Sequence, residues 1–171
     1  MKLAGSVLVL LASIGIALSL RRELYLHLRL LYEIRRWLIR LSHAAGGSLL
    51  TMEALLGGYV KPHNALLQRI SLEIAEQLME KEGGAGEDIW RAAFAKHGRE
   101  LGLDTAEQET VEQAGAAFFG RSVDENKKQL ETVLECLDFQ IGTARSGLRE
   151  KQKVYGAVSL LGGVLIVIVL V

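Results

Sequence analysis

The chain has 171 residues, half of them apolar, with 20 Lys+Arg against 20 Asp+Glu and a mean hydropathy of +0.23. Its length suits one domain, and its zero formal charge excludes a nucleic-acid binder built on a basic surface. A single cysteine, Cys136, excludes an intramolecular disulfide and fits a reducing compartment.

The charge is unevenly placed. Leu3 to Leu20 and Val154 to Val171 are charge-free runs of 18 residues each. At about 1.5 Å per residue each spans roughly 27 Å, close to a hydrocarbon core of about 30 Å, so both are expected to be transmembrane helices. The β-branched stretch Val164 to Val171 would suit a strand, but an isolated strand leaves its backbone unsatisfied in lipid. Lys2 before an apolar run, with Ala17-Leu18-Ser19 as a small-x-small site, also resembles a cleaved signal peptide. The run passes directly into Arg21-Arg22 and more Leu-rich helix, which favours a retained anchor.

Arg21, Arg22, Arg29, Arg35 and Arg36 follow the first run, and Arg145, Arg149, Lys151 and Lys153 precede the second. The positive-inside rule then puts residues 21–153 in the cytoplasm and both termini across the membrane. Setting Lys2 aside, this middle holds 19 basic and 20 acidic residues, a net charge of −1. The division is therefore 3–20 and 154–171 as spans around a domain over 21–153. Arg21, Arg22, Lys151, Lys153 and Tyr155 fall where lipid headgroups and an interfacial aromatic are expected.

The middle reads as an all-α bundle of about five or six helices, its first and last continuous with the spans. Leu24, Leu28, Leu31, Leu38 and Ala45 recur at helical spacing, interrupted at Arg35. Gly46-Gly47 weakens this helix, and Gly57-Gly58 is expected to end it. Pro62 suits the first turn of a second helix, with Leu66, Leu67, Ile70, Ile74 and Leu78 as its apolar face. Gly83-Gly84 and Gly86 are expected to stop it. Glu87 and Asp88 then place acid at a helix N-terminus, ahead of a stripe of Ile89, Trp90, Ala93, Phe94 and His97 that Gly98 and Gly102 bracket.

Asp104 or Thr105 caps the next helix, Thr105-x-x-Gln108 matching a capping box, and that helix runs to Phe118 and Phe119 before Gly120. Ser122-x-x-Glu125 is the cap of the last. There Leu130, Leu134, Leu137, Ile141, Ala144 and Leu148 form an a/d seam expected to pack on the long first helix.

Catalytic motifs are missing: there is no P-loop, no Cys-x-x-Cys and no His-Glu-x-x-His. His27, His43, His63 and His97 share no metal-ligand spacing and read as surface or interface residues, and Cys136, beside seam position Leu137, reads as a buried structural thiol. Glu87 and Asp88 would repel an anion at the Gly83-Gly84-Ala85-Gly86 loop. The expectation is therefore no enzyme, no metal, no cofactor, no nucleic acid and no small-molecule substrate.

Several residues in order resemble the stage III sporulation protein AB family. Lys2-Leu3-x-Gly5 with Gly15 is similar to the family's start, and Lys153-Val154-Tyr155 with Leu160, Leu161 and Gly163 to its end. Glu53, Tyr59 and Pro62 resemble its helix end and turn, with Gly57-Gly58 lengthening the Glu-to-Pro spacing. Phe119-Gly120-Arg121-Ser122 with Asp124, Gln129 and Leu130 resembles its turn into the last helix.

The resemblance implies a mother-cell membrane protein of the channel between mother cell and forespore. It also implies a soluble part similar to the cytoplasmic domain of the type II secretion platform protein F, and a place beside a cytoplasmic secretion-type ATPase. It brings no catalytic residues. Partners are then membrane lipid and other channel subunits, with self-association left open. Glu53, Pro62, Gly120, Ser122 and Asp124 are the candidate partner contacts, or else helix caps and terminators. The competing reading is a signal-peptide-cleaved helical adaptor with one C-terminal anchor, acting outside the cytoplasm.

Overall fold

Apolar residues at three- and four-residue spacing bury one face of each helix, and within residues 29–141 the computed structural model joins those faces into a core. Backbone is described for residues 2–80, 85–120 and 122–170, and side chains within 22–80, 85–120 and 122–148. The regular elements among the described residues are all helices, with no strand. The elements are α1 (Lys2–Gly47), α2 (Met52–Ala54) running into a π-turn (Leu55–Tyr59), α3 (Ala65–Glu80), α4 (Gly86–Leu101), α5 (Thr105–Phe119) and α6 (Val123–Leu170).

The chain divides into two compact units, Met1–Leu28 with Gly142–Val171, and Arg29–Ile141. The spans expected over 3–20 and 154–171, with Arg21, Lys151, Lys153 and Tyr155, lie outside the described side chains. Among the described residues no helix is long and apolar enough to cross a membrane. Arg22 is exposed.

Within residues 29–141, α1 buries Leu31, Ile34, Trp37, Leu38 and Leu41 completely. Of the stripe expected there, Leu31 and Leu38 are buried, Leu24 and Leu28 are half-buried, and Ala45 is exposed. The buried face runs through Ile34, Trp37, Leu38 and Leu41; Ala45 shares that face by angle but lies two residues from the end of α1 at Gly47 and is left exposed. α1 also stops earlier than expected, at Gly47 rather than Gly57-Gly58. Two adjacent glycines cost roughly 2 kcal/mol of helix propensity together, enough to end a helix here.

The two tryptophans meet at the centre. Trp37 of α1 and Trp90 of α4 stack with ring centroids 5.5 Å apart and planes 6° from parallel, and Phe94 and Phe118 tilt against Trp90 at 5.1 and 5.5 Å. Each buried indole N–H finds a carbonyl: Trp37 Nε1 donates to Val60 O at 3.1 Å and Trp90 Nε1 to Val111 O at 2.8 Å. The aromatic group therefore buries large apolar area with no unsatisfied donor.

Glycines set how closely α4 and α5 approach. A Cβ on Gly115 would sit 2.8 Å from Trp90 Cδ1, and one on Gly98 would run into Gln108, 2.8 Å from its Cγ. Gly86, expected to stop a helix, is instead the first residue of α4 and lies against the Phe119 ring. α4 ends in a Schellman motif at left-handed Gly102 (φ 82°), where Gly102 N–H donates to Arg99 O and Leu103 N–H to Gly98 O. The stripe of Ile89, Trp90, Ala93, Phe94 and His97 is buried as its spacing predicted.

α5 is capped by Asp104 and not Thr105. Its carboxylate accepts from Glu107 N–H at 2.8 Å while Glu107 Oε2 accepts from Asp104 N–H at 2.9 Å, a capping box one residue upstream of the Thr105–Gln108 match. On α6, Val133, Leu137 and Ile141 are buried and Leu130, Leu134, Ala144 and Leu148 half-buried, so the seam exists. It meets α1 through Arg35, whose Nε lies 2.6 Å from Asp138 Oδ1 and whose Nη2 donates to Oδ2 at 2.9 Å. It meets α5 through Gln140 Nε2, which donates to Thr110 Oγ1 at 2.9 Å. Cys136 is exposed, contrary to the expected buried thiol: one residue from Leu137, it is turned about 100° off the seam.

Candidate functional site

The segment between α1 and α3 is built by side chains gripping backbone. Val60 N–H donates to Leu55 O at 2.9 Å, an i to i−5 bond that makes residues 55–59 a π-turn, and Gly58 leaves helical dihedrals at φ 164°, ψ −9° to end it. Buried Ser71 Oγ of α3 donates to Leu56 O at 2.8 Å. Three α1 side chains then hold the strand of chain that follows: Trp37 at Val60 O, Arg40 Nη2 at Lys61 O (3.2 Å), and Glu33, which accepts from Asn64 N–H.

Pro62 is buried inside this grip. It does not open α3 as expected. That role belongs to Asn64, whose Oδ1 accepts from Leu66 N–H at 2.9 Å and Leu67 N–H at 3.0 Å. An asparagine acceptor satisfies orphan helix donors, whereas proline in the preceding extended chain only fixes φ.

The outer side of the same segment forms an open groove of about 700 Å3, lined by Leu50, Thr51, Glu53, Ala54, Gly57, Gly58, Tyr59 and, from the last turn of α3, Met79. Its apolar walls are wet: Tyr59 is 68% exposed, Met79 64% and Leu50 44%, and the neighbouring Leu49 is fully exposed. Isolated exposed apolar residues are ordinary, but contiguous ones around a concavity mark a surface that another molecule covers. Glu53, in the first turn of α2, is the carboxylate in this lining.

The other candidates form a separate turn. Gly120 ends α5, its N–H donating to Ala116 O at 3.0 Å and its carbonyl accepting from Asn126 Nδ2 at 3.1 Å. A Cβ there would lie 2.7 Å from Ala116 O and strike the Asn126 amide, so the position takes only glycine without rearrangement. Ser122 O accepts from Asn126 N–H at 2.9 Å, and Asp124 stands exposed in the first turn of α6, where its charge suits the helix dipole. Glu53 and Pro62 thus share one segment, and Gly120, Ser122 and Asp124 share another.

A polar cluster joins α3 to α4. His97, 9% exposed, places Nε2 2.9 Å from Glu73 Oε2 and Nδ1 3.2 Å from Glu100 Oε2. Lys96 Nζ donates to Glu73 Oε1 at 2.7 Å, and Arg69 Nη2 to both oxygens of Glu100 at 2.9 Å. Glu73 is held below the ordinary glutamate value of 4.5 chiefly by the bond from Lys96, and Glu100 chiefly by the bond with His97. His97 Nε2 ties α4 to Glu73 of α3 while Nδ1 engages Glu100 one turn along α4 itself, and no group of three or more His, Cys, Asp or Glu side chains among the described residues is placed to hold a metal ion.

Glu53, Tyr59 and Pro62 stand out in the sequence, whereas Leu49, Leu50 and Met79 do not. Their signal was one of phase: Met79 falls outside the Leu66 to Leu78 face of α3, and Leu49-Leu50 follows the glycine pair that ends α1.

The fold and the groove define an all-helical, surface-presenting domain between two charge-free termini. The chain belongs to the stage III sporulation protein AB family, whose family model matches residues 2–171. No curated protein and no solved structure matches the chain. Membership places it in the third stage of sporulation.

Proposed function

We propose that the protein is a non-enzymatic membrane scaffold, a platform subunit of the channel between mother cell and forespore, and that the groove beside the π-turn receives a partner subunit. The observation that carries this is the ring of exposed apolar side chains, Leu50, Tyr59 and Met79, around a concavity whose backbone is fixed from behind by Trp37, Arg40 and Ser71. A rigid floor with solvent-exposed apolar walls binds at low ordering cost. The two 18-residue charge-free runs supply the membrane anchors on this reading, and the arginines after the first put the groove in the mother-cell cytoplasm. There the secretion-type ATPase implied by the family resemblance is the first partner to test.

The test is affinity capture of the full chain from sporulating cells. The wild type should bring down channel subunits, whereas Tyr59→Ser with Met79→Ser should reduce that recovery by about tenfold or more, since two anchor residues of an interface contribute over 1 kcal/mol each. Unchanged tryptophan fluorescence would show that the double variant still folds. Undiminished capture by the folded variant would remove the groove from the proposal.

A further inference from the structure

The outward side of the α1–α6 pair carries two unlike edges. On α1, Tyr32, Arg36 and His43 are exposed and fall on one face, opposite the buried Leu31, Leu38 and Leu41. On α6, Glu131, Glu135 and Phe139 are exposed at successive turns, opposite the buried Val133, Leu137 and Ile141, with exposed Lys127 and Lys128 one turn before Glu131 on the same face. The α1 edge carries Arg36 with aromatic rings, the α6 edge carries Glu131 and Glu135 beyond its lysines, and the Arg35–Asp138 bridge joins the two helices.

The register of the two edges follows from that bridge. Residues 22–28 of α1 and 142–148 of α6 belong to one compact unit while Arg35 and Asp138 belong to the other, so the helices run antiparallel. Counting from Arg35 opposite Asp138 at about 1.5 Å per residue, Arg36 lies about 3 Å in axial height from Glu135, His43 about 1.5 Å from Glu131, and Tyr32 about 3 Å from Phe139. Each basic or aromatic group on α1 is therefore level with an acidic or aromatic group on α6.

A two-fold axis parallel to the helices preserves those heights, sets α1 of one copy against α6 of the other, and repeats the match twice. We infer that this face pairs with a second copy of the chain, the Arg36 and His43 edge of α1 lying against the Glu131 and Glu135 edge of α6 from its neighbour. The four helices would then form an antiparallel-neighboured bundle with complementary charges at its flanks, the arrangement by which flanking charges select partner and register in helical assemblies. The inference is independent of the groove, which lies on α2, the π-turn and the end of α3.

Mixed-copy crosslinking of the full chain in membranes tests it. One copy carries Arg36→Cys and Cys136→Ser, the other Glu135→Cys and Cys136→Ser, with different affinity tags. With one cysteine per copy, no crosslink can form within a chain, so a covalent heterodimer reports contact between copies. The expected result is that heterodimer, together with a charge series in a companion pair of copies, crosslinked by cysteines replacing Tyr32 in one and Phe139 in the other. Arg36→Glu or Glu135→Arg alone should lower the crosslinked fraction about tenfold, and both together should restore it. Retained tryptophan fluorescence shows that each variant is folded. Absence of the heterodimer, or a crosslinked fraction indifferent to charge reversal, would overturn the inference. So would a reversal that abolishes capture of a different protein while leaving self-crosslinking intact.

Discussion

Gly115 and Gly142 are both interior helical glycines, yet they have opposite surroundings. A methyl group at 115 meets the Trp90 indole, which is held by its bond to Val111 O and its stack on Trp37, whereas a methyl at 142 has nothing within 4 Å. Gly115→Ala should destabilise by about 1–3 kcal/mol through overpacking. Gly142→Ala should stabilise by about 0.5–1 kcal/mol through helix propensity. Chemical denaturation of the two variants side by side checks both signs.

Glu73 and Glu100 supply a second contrast, with pH. Their carboxyls titrate lower in the folded chain than in the unfolded one, so their contribution to stability is fully present above about pH 4.5 and is lost as pH falls through the depressed folded values. Glu73 faces Lys96 and His97, and Glu100 faces Arg69 and His97. The midpoint of thermal unfolding should fall on acidification below pH 4.5, and His97→Gln, which removes a partner from both carboxylates, should make that fall shallower. An equally steep acid limb in the variant would show that other groups dominate.

The π-turn takes up one residue more than an α-helical turn. Closed by the i to i−5 bond from Val60 N–H to Leu55 O, it ends the helical run at Gly58 while Leu55 and Leu56 stay in the core. Ser71 Oγ is what ties down the Leu56 carbonyl. Ser71→Ala leaves that carbonyl buried without its partner, and should cost about 1–3 kcal/mol by denaturant titration.

Long periodic elements were legible from residue spacing: the α4 stripe, the α3 face, the α6 seam and the extent of α5 follow directly from it. Terminations were legible in part: Gly102 and Gly120 close α4 and α5 where expected, and Asp104, one of two offered caps, opens α5. α1 instead ends at the first glycine pair, and Asn64 rather than Pro62 opens α3, because a cap is decided by which side-chain oxygen reaches a backbone N–H, which spacing does not report. Cys136 was misplaced by adjacency to Leu137, although one residue is a 100° rotation. Of the groove, Glu53 and Tyr59 were visible through resemblance, but Met79 joins them across chain separations that spacing cannot report.

For the chain as a whole, the two charge-free ends set the expected behaviour in cells. If residues 3–20 and 154–171 both cross the bilayer, the protein should remain with the membrane pellet after an alkaline carbonate wash and require detergent for release. Its intact mass should include the first 20 residues, where signal-peptide cleavage would shorten it. Release by carbonate would refute the anchored scaffold, and a shortened mass would refute the first anchor.

The stacked indoles have a further consequence, an optical one. Trp37 and Trp90 are the chain's two tryptophans, and both sit in one parallel pair between α1 and α4. All indole emission and any exciton-coupled signal in the near-ultraviolet therefore originate at a single junction. Without any added dye, the protein carries a reporter that senses the π-turn through the bond from Trp37 to Val60 O and that changes sharply when α1 parts from α4.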